Sequence, residues 1–226
     1  MKLQSKPIRG GFTLVELLVV ITIIAILASF AVPVFNRVVG RAQQSKQVNN
    51  ARQIALACRL FAQANNGIFP VGPNQQPASD ANGAYNALFE SGDINLEALF
   101  WNPRATHVCN PGGPDEDGIL TAGENAFDYV RGLNDSTRGN VPLIVEAQTS
   151  ANNWDAALGH PWERQVVVAY VDASSTVLST DTQQPTEVNV QAGGQTVGLL
   201  STGATGNIPG GPNVAVVRAL AVGGGQ

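Results

Sequence analysis

The chain contains few of the residues from which metal centres and catalytic sites are built. Its 226 residues include only two cysteines and two histidines, His107 and His160. A zinc site takes clustered cysteine and histidine ligands, so this composition argues against one. The chain also lacks a Gly-x-Ser-x-Gly elbow, a phosphate-binding glycine loop and a paired metal-ligand motif. We therefore do not expect an enzyme.

His160 is the one histidine with a polar and aromatic neighbourhood in sequence. It lies in the stretch that begins with Trp154-Asp155 and ends with Gly159-His160-Pro161-Trp162-Glu163. No catalytic motif accompanies this stretch. We interpret its tryptophans as anchors of a loop between strands.

Charged residues are scarce, at 13% of the chain, and their signs are separated along the sequence. Between residues 17 and 79 every charged side chain is basic: Arg37, Arg41, Lys46, Arg52 and Arg59. From Asp80 onward there are sixteen acidic and five basic residues. The acidic C-terminal part argues against a nucleic-acid partner. Basic residues just outside a bilayer can bind lipid headgroups.

Glu16, inside a long apolar segment, is the most unusual feature of the sequence. The segment covers residues 12–35, and its 24 residues would span roughly 36 Å as a helix. A hydrocarbon core is about 30 Å thick, so this length is enough to cross it. A carboxylate near the start of such a helix costs on the order of 1–3 kcal/mol. A simple anchor gains nothing from this charge, so we expect Glu16 to have a function and a charged partner.

Two simpler interpretations of this segment explain less of the sequence. A secretory signal peptide also begins with basic residues, and Ser29-Phe30-Ala31 could serve as its cleavage site. The apolar run is too long for a signal peptide, however, and Glu16 interrupts it. A plain signal-anchor helix accounts for the length but not for Glu16 or for the Gly11-Phe12 junction.

The junction, the charge and the spanning helix together resemble the class III signal of type IV pilins and type II secretion pseudopilins. The matching residues are Gly11-Phe12-Thr13-Leu14-Val15-Glu16 and the apolar run that follows. In that family a dedicated inner-membrane enzyme, the prepilin peptidase, cuts after the glycine and methylates the new amino terminus. The resemblance therefore implies cleavage between Gly11 and Phe12 and N-methylation of Phe12.

The resemblance also implies a partner for Glu16, namely the α-amine of a neighbouring subunit in a filament. A buried pair of opposite charges recovers much of what each charge loses on leaving water, so the pair would set the register of stacked helices. Pro33 falls where pilin helices often carry a proline. It lacks a backbone N–H, so we predict a kink or local melting there. Alternatively, Pro33 only marks where the helix leaves the bilayer.

Beyond the membrane span, the pattern predicts that the helix continues as an amphipathic one. Apolar residues recur at spacings of three and four and form one face. This face consists of Val48, Ala51, Ile54, Ala55, Cys58, Phe61 and Ala62. Asn65-Asn66-Gly67, followed by Pro70, predicts the end of the helix. A single helix of about 50 residues is explained by a membrane span fused to a core helix.

The second half of the chain contains the strand signals. The strongest are at residues 141–146, 165–172 and 175–178, the last two separated by a turn at 172–174. Weaker ones are at residues 187–190, 196–200 and 214–222, and short helical stretches are predicted at 85–90 and 95–101. A long helix followed by clustered strands predicts an α+β fold in which the helix packs on a C-terminal antiparallel sheet. The pilin resemblance implies the same order.

These predictions divide the chain into four parts. Residues 1–11 form a cleaved leader, and residues 12–35 a transmembrane helix. Residues 36–66 form the amphipathic continuation of that helix. Residues 67–226 form an extracytoplasmic α+β head with a glycine-rich C-terminal tail.

Cys58 and Cys109 can be interpreted in two ways. An extracytoplasmic location permits a disulfide, which would close a loop of about 50 residues and add about 3–4 kcal/mol of stability. The alternative is two separate buried thiols, and the position of Cys58 on the apolar helix face suits that role. We predict the bridge and keep the alternative open.

The acidic segment 115–124 has the spacing of a calcium-binding loop. If Gly118 is the sharp-turn glycine, Asp115 and Asp117 fall at the third and fifth positions and Glu124 at the bidentate twelfth. Gly113 replaces the aspartate expected at the first position, which weakens a site for a hard cation. Some major pseudopilins bind calcium in a head-domain loop, so the resemblance implies calcium without identifying these residues as ligands. The alternative is a solvated acidic turn.

The main hypothesis from the sequence is a pseudopilin, a structural subunit of a type II secretion pseudopilus. Its expected partners are further copies of itself, the prepilin peptidase, an inner-membrane assembly platform, other pseudopilins and membrane lipid. We expect it in the bacterial inner membrane with its head outside the cytoplasm, and its filament in the periplasm or at the cell surface. One alternative is a type IV pilin of a surface filament for adhesion, motility or DNA uptake. Another is a membrane-tethered periplasmic binding domain that never polymerises, which Glu16 and the Gly11-Phe12 junction argue against.

Overall fold

The computed structural model describes residues 13–72, 78–149, 154–180, 189–192, 195–200 and 215–218. The chain divides into two compact units, Met1–Gln43 and Gln44–Gln226. The first helix, α1, covers Leu14–Ala64 and has residues in both units. The predicted leader and the junction residue Phe12 lie outside the described residues.

In the first unit, α1 is apolar and exposed. Its described large apolar side chains between Leu14 and Phe35 are each 45% to 78% exposed. By length and composition this helix is able to cross a membrane, as predicted. The helix is continuous through Pro33, so it does not melt there. A kink at Pro33 stays a prediction.

In the second unit, α1 is amphipathic. The predicted apolar face is confirmed: Ala51, Ile54, Ala55, Cys58, Phe61 and Ala62 are buried, and Val48 is partly buried against the same core. Arg52 and Arg59 lie on the exposed side. The helix ends at the predicted stop, where Gly67 adopts a φ of +79° and its N–H donates to the Ala62 carbonyl at 2.8 Å.

In the part of the chain that the structure describes, seven strands follow α1, and they confirm the predicted α+β class. They are β1 (Phe127–Arg131), β2 (Pro142–Glu146), β3 (Gln165–Tyr170), β4 (Ser175–Ser179), β5 (Asn189–Ala192), β6 (Gln195–Gly198) and β7 (Ala215–Val217). Five of them form an antiparallel sheet in the order β4-β3-β2-β1-β7, and β5 pairs with β6. Each predicted strand, weak ones included, overlaps one of these. The predicted turn between β3 and β4 is present, with Tyr170 N–H donating to the Ser174 carbonyl at 2.9 Å.

Strand β1 was not predicted, although it lies between β2 and β7 in the sheet. Its residues Phe127, Asp128, Tyr129 and Val130 are all buried, so the alternation of polar and apolar residues that marks a half-exposed strand is absent. Asp128 is tolerated there because the backbone N–H and the side-chain amide of Gln148 donate to its Oδ2 at 3.0 and 2.8 Å.

Short helical segments contribute further residues to the core. The predicted stretch 85–90 lies within helix α2, Ala81–Ser91, whereas the stretch 95–101 contains a single 3-10 turn at Glu97–Leu99. Tyr85 of α2 packs its ring against Phe100 and Tyr129, with centroid distances of 4.8 and 5.3 Å. These contacts join α2 to β1.

The predicted disulfide is absent, because Cys58 and Cys109 are free thiols. Both are buried in the core, at different places. Cys58 lies near Tyr85 and Tyr129, whereas Cys109 pairs by isolated bridges with Gly123 and Glu124. The structure therefore agrees with the alternative interpretation, in which Cys58 and Cys109 are two separate buried thiols.

Candidate functional site

Glu16 lies in the first turn of α1 and is engaged by its own helix. The Thr13 N–H and hydroxyl both donate to Glu16 Oε2, at 2.8 and 2.7 Å. In return, the Glu16 N–H donates to Thr13 Oγ1 at 3.3 Å. This is a capping box, which satisfies backbone donors that a helix start otherwise leaves without partners. Our sequence analysis missed this role, although Thr13-Leu14-Val15-Glu16 has the Ser/Thr-x-x-Glu spacing that signals it.

The capping box and the predicted assembly role are compatible in one side chain. A carboxylate has two oxygens and several acceptor positions, so Glu16 can hold the cap through Oε2 and still carry a negative charge. The two roles therefore need separate variants to distinguish them. Cleavage after Gly11 and methylation of Phe12 stay predictions, since both residues lie outside the described ranges.

The acidic loop 115–124 turns at Gly118, as predicted. Gly118 has a φ of +89°, and nothing lies within 4 Å of where a Cβ would be, so glycine is needed there for conformation alone. Glu124 is buried, and its Oε2 accepts hydrogen bonds from the Thr121 N–H at 2.6 Å and hydroxyl at 2.8 Å. Its Oε1 accepts from the Asp115 N–H at 3.3 Å. Glu124 therefore holds the backbone of the loop together.

Glu97, and not Glu124, is the carboxylate that groups with Asp115 and Asp117. One side-chain oxygen from each of the three lies within 4.8 Å of the others. Glu97 is buried, and its carboxylate accepts the N–H of Glu116 at 2.8 Å and of Ile119 at 3.1 Å. Burial raises the pKa of Glu97. Because Glu97 comes from a separate segment of the chain, the spacing of a loop motif could not have identified it.

The three carboxylates fit calcium as a partial ligand set. Calcium binds six to eight oxygens at about 2.3–2.6 Å, so oxygens up to about 5 Å apart can share one ion. Glu97, Asp115 and Asp117 meet this condition. Carbonyl oxygens or water would have to supply the remaining ligands. Calcium binding stays a prediction with this revised ligand set, and a solvated acidic turn stays its alternative.

Glu146, the last residue of β2, is buried and accepts hydrogen bonds from both tryptophans of the aromatic stretch 154–163. Its Oε1 accepts from Trp162 Nε1 at 2.6 Å, and its Oε2 from the Val167 N–H at 2.9 Å. Its backbone carbonyl accepts from Trp154 Nε1 at 2.7 Å. The interpretation of the tryptophans as loop anchors is therefore confirmed: both attach the segment between β2 and β3 to one glutamate.

The two histidines lie beside this glutamate. His160 is buried, with its Nε2 at 3.8 Å from Glu146 Oε2 and its Nδ1 at 3.1 Å from the Trp162 carbonyl. His107 lies between two carbonyls, with Nδ1 at 3.1 Å from Gly159 O and Nε2 at 3.0 Å from Ala147 O. The sequence did not predict the role of Glu146. This residue is the last of an apolar strand, and the groups that donate hydrogen bonds to it come from other segments of the chain.

Comparison with known proteins connects the N-terminal site to a family. Residues 7–32 match the prokaryotic N-terminal methylation motif. This region contains the predicted cleavage junction Gly11-Phe12 and the capping-box residues Thr13 and Glu16.

Similar curated proteins are fimbrial proteins of Dichelobacter nodosus. The type IV major fimbrial protein FimA of strain VCS1703A is 48% identical over 134 residues, which are 56% of this chain and 78% of that protein. Another FimA from this organism is 33% identical over 132 residues, or 57% of this chain and 76% of its own length. No solved structure matches the chain. On the extent and identity of these two relatives, the chain belongs to the type IV pilin family.

Proposed function

We propose that this chain is a structural subunit of a type IV surface filament, assembled through its N-terminal helix after removal of residues 1–11. The observation that carries the proposal is Glu16, an acidic residue in the first turn of a helix whose apolar side chains are exposed. The similar proteins named as type IV fimbrial proteins support the surface filament over the type II secretion pseudopilus that the sequence favoured. A membrane-tethered monomer would give the charge on Glu16 no partner.

The exposed apolar surface of α1 explains why assembly needs a charged pair. Lipid or neighbouring helices can cover side chains such as Leu17 and Ile24 equally well, so apolar packing alone prefers no particular stagger. A carboxylate and an amine that meet in the same surroundings do select one stagger, since either charge alone would be left without a partner. Cleavage after Gly11 creates that amine on Phe12. Processing by the prepilin peptidase would therefore precede assembly.

The remaining partners follow from this sequence of events. The precursor would enter the inner membrane with its acidic head outside the cytoplasm, meet the peptidase there, and pass to an assembly platform. Basic residues beyond the span, such as Arg37 and Arg41, would face lipid headgroups before assembly and acidic surfaces of neighbouring subunits after it. The role is structural and not enzymatic.

Two measurements on bacteria that express the chain test the proposal. Intact mass spectrometry of the membrane-extracted protein should give a chain that starts at a methylated Phe12. Filaments sheared from the cell surface should contain this mature chain. Gly11→Trp should block processing and leave no chain in the sheared fraction, whereas Gly11→Ala should slow processing only modestly. A mature chain confined to the periplasm and needed for protein secretion would instead favour the pseudopilus.

A further inference from the structure

A groove runs beside α1 in the head. It is lined mainly by apolar residues, together with Asp93: Leu56, Ala57 and Leu60 of α1, and Ile94 and Leu99 of the segment after α2. Leu56 is 51% and Leu60 47% exposed, so apolar side chains of the groove face solvent. Its volume is about 270 Å³, smaller than the ~300–1,000 Å³ of most small-molecule sites. The groove therefore suits side chains of another protein segment better than a small ligand.

Both walls of the groove are held in place by the head itself. One wall is α1, where Ala57 is buried. The other begins where α2 ends at Gly92, whose φ of +79° turns the chain. The N–H groups of Asp93 and Ile94 then donate to the Leu88 carbonyl at 3.0 and 3.2 Å. A groove that is already formed does not have to be ordered when a partner binds, and this lowers the free-energy cost of association.

The groove has a negative charge at its edge. Asp93 is partly exposed, and its Oδ2 accepts a hydrogen bond from the Ser91 hydroxyl at 2.6 Å. In the described part of the chain no basic side chain forms an ion pair with it. Arg52 and Arg59 are exposed on α1 but are not among the residues that line the groove. A carboxylate beside apolar side chains favours an occupant that combines apolar side chains with a basic one.

Residues 35–41 of α1 have this combination. Phe35, Val38 and Arg41 follow one another at spacings of three, so their side chains lie along one side of the helix. Phe35 is 67% and Val38 57% exposed. Arg41 is exposed as well, and it has no ion-pair partner among the described residues. Segment 35–41 of a second copy of the chain therefore matches the groove in both polarity and charge.

We propose that segment 35–41 of one subunit docks into the groove of another, with Arg41 beside Asp93 and the apolar side chains of the segment against Leu56 and Leu60. This docking rests on the function proposed above and names the surfaces through which neighbouring subunits meet. The groove and the segment are different surfaces of the same chain, so the contact is heterologous. A heterologous contact that does not close into a ring repeats into an open filament.

An exchange of the two charges tests the pair. Asp93→Arg and Arg41→Asp each bring like charges together, so each should reduce the filaments sheared from bacteria about tenfold or more. The double variant restores opposite charges and should recover most of the wild-type amount. Immunoblots of the membrane fraction check that every variant is made and cleaved. Glu90→Arg is the matched control and should leave the amount unchanged, because Glu90 is exposed on α2 and does not line the groove.

Crosslinking tests whether two copies make the contact. In the double variant Val38→Cys/Leu60→Cys, a short bis-maleimide should join the subunits of sheared filaments into dimers and longer ladders on a denaturing gel. Each single variant should stay monomeric. Cys58 and Cys109 are buried and should not react. A link within one chain would leave a monomer and would overturn the docking.

The outcomes separate the docking from the function. If bacteria that express the wild-type chain form no filaments, both proposals fail. If wild-type filaments form but the charge exchange restores nothing and no ladder appears, the docking alone is wrong. Dimers from Leu60→Cys alone would also overturn it, because one groove would then face another. Filament loss in Glu90→Arg would do the same, since the effect would follow the charge of the head and not the groove. The crosslinks alone decide if the charge-exchanged chain is not made.

Discussion

The exposed part of α1 and the head differ in where their polar and apolar groups find partners. In the head, the buried acids Glu97, Asp128 and Glu146 accept hydrogen bonds from N–H groups of the same head. The apolar side chains of its core are enclosed by the same chain. Between Leu14 and Phe35 the described large apolar side chains are instead exposed, and one acid lies among them. The core of the head is stabilised by contacts within the head, whereas the apolar side chains of the first part of α1 are left exposed.

The largest effect is expected from removing the charge on Glu16. Glu16→Gln keeps an oxygen for the Thr13 hydrogen bonds and loses the charge, and Glu16→Ala loses both. Both variants should enter the membrane and be cleaved normally, because loss of a charge favours the apolar phase. Neither should form filaments. Immunoblots for the mature chain and electron microscopy of sheared cell-surface material report the two steps.

Thr13→Ala is the matched control for the Glu16 variants. It removes the cap, which costs about 1 kcal/mol of helix stability, and leaves the charge in place. Filaments should still form. If Glu16→Gln forms normal filaments while Thr13→Ala does not, the capping box and not the charge is the contribution of this segment to assembly.

The second prediction concerns the thiols of the head and tests how completely its core is enclosed. Burial raises the pKa of Cys109 from 9.0 to about 12, which reduces its reactive thiolate about a thousandfold at neutral pH. The Cys58 thiol is buried as well, and burial raises its pKa further. The native chain should therefore take up no N-ethylmaleimide while the denatured chain, without reductant, takes up two. If the denatured chain reacts only after reductant is added, Cys58 and Cys109 form the disulfide that the sequence predicted.

Gly67 and Gly92 allow the free-energy cost of an unfavourable backbone conformation to be measured separately from the cost of a steric clash. Gly67 and Gly92 both have a φ of +79°, but a Cβ at Gly67 would lie 2.5 Å from Asp135 Oδ1, whereas a Cβ at Gly92 would contact nothing within 4 Å. Gly92→Ala should cost about 1–2 kcal/mol of unfolding free energy, the usual penalty for alanine in this conformation. Gly67→Ala should cost more. Thermal unfolding of the full chain in detergent, followed by circular dichroism, compares them.

The Asp135→Ala variant checks the cause of the difference. Combined with Gly67→Ala, it should bring the cost of the alanine close to that at Gly92, because the two side chains are coupled. The contrary result is that Gly67→Ala and Gly92→Ala lower the free energy of unfolding equally with Asp135 present. That result would show that the loop around Asp135 moves to accept the new Cβ and that the short distance does not destabilise the head.

The smallest expected effect is that of calcium on the acidic loop. Sites of this kind in extracellular modules bind at about 0.1–1 mM, and at the weak end of this range several millimolar calcium should raise the melting temperature of the chelator-treated chain by about 2–4 °C. Asp117→Asn keeps the oxygen that accepts from the Ile119 N–H and removes the charge, so it should abolish the shift. Asp135→Asn, an exposed acid outside the loop, should leave it unchanged. Equal melting temperatures with and without calcium would identify a solvated acidic turn.

Local patterns were enough to predict most of the fold. The apolar span, the amphipathic face from Val48 to Ala62 and the helix stop at Gly67 each arise from neighbouring residues along one element, so periodicity reveals them. The same holds for β3 and β4 and for the turn between them. Strand β1 was not predicted, because it is buried on both faces and has Asp128 in its middle. Burial on both faces removes the alternation on which strand prediction relies.

By itself, the sequence was enough to predict an N-terminal site, because Gly11, Phe12 and Glu16 lie close together in one segment and their predicted roles depend on the spacing within it. Only the tertiary structure decided which distant side chains meet. It put Glu97 beside Asp115 and Asp117, kept Cys58 apart from Cys109, and enclosed Glu146 with His160. The physical reason is that burial and hydrogen bonding in a core depend on the path of the chain between segments. A pattern along the sequence reports which face of an element is covered, but not which residues cover it.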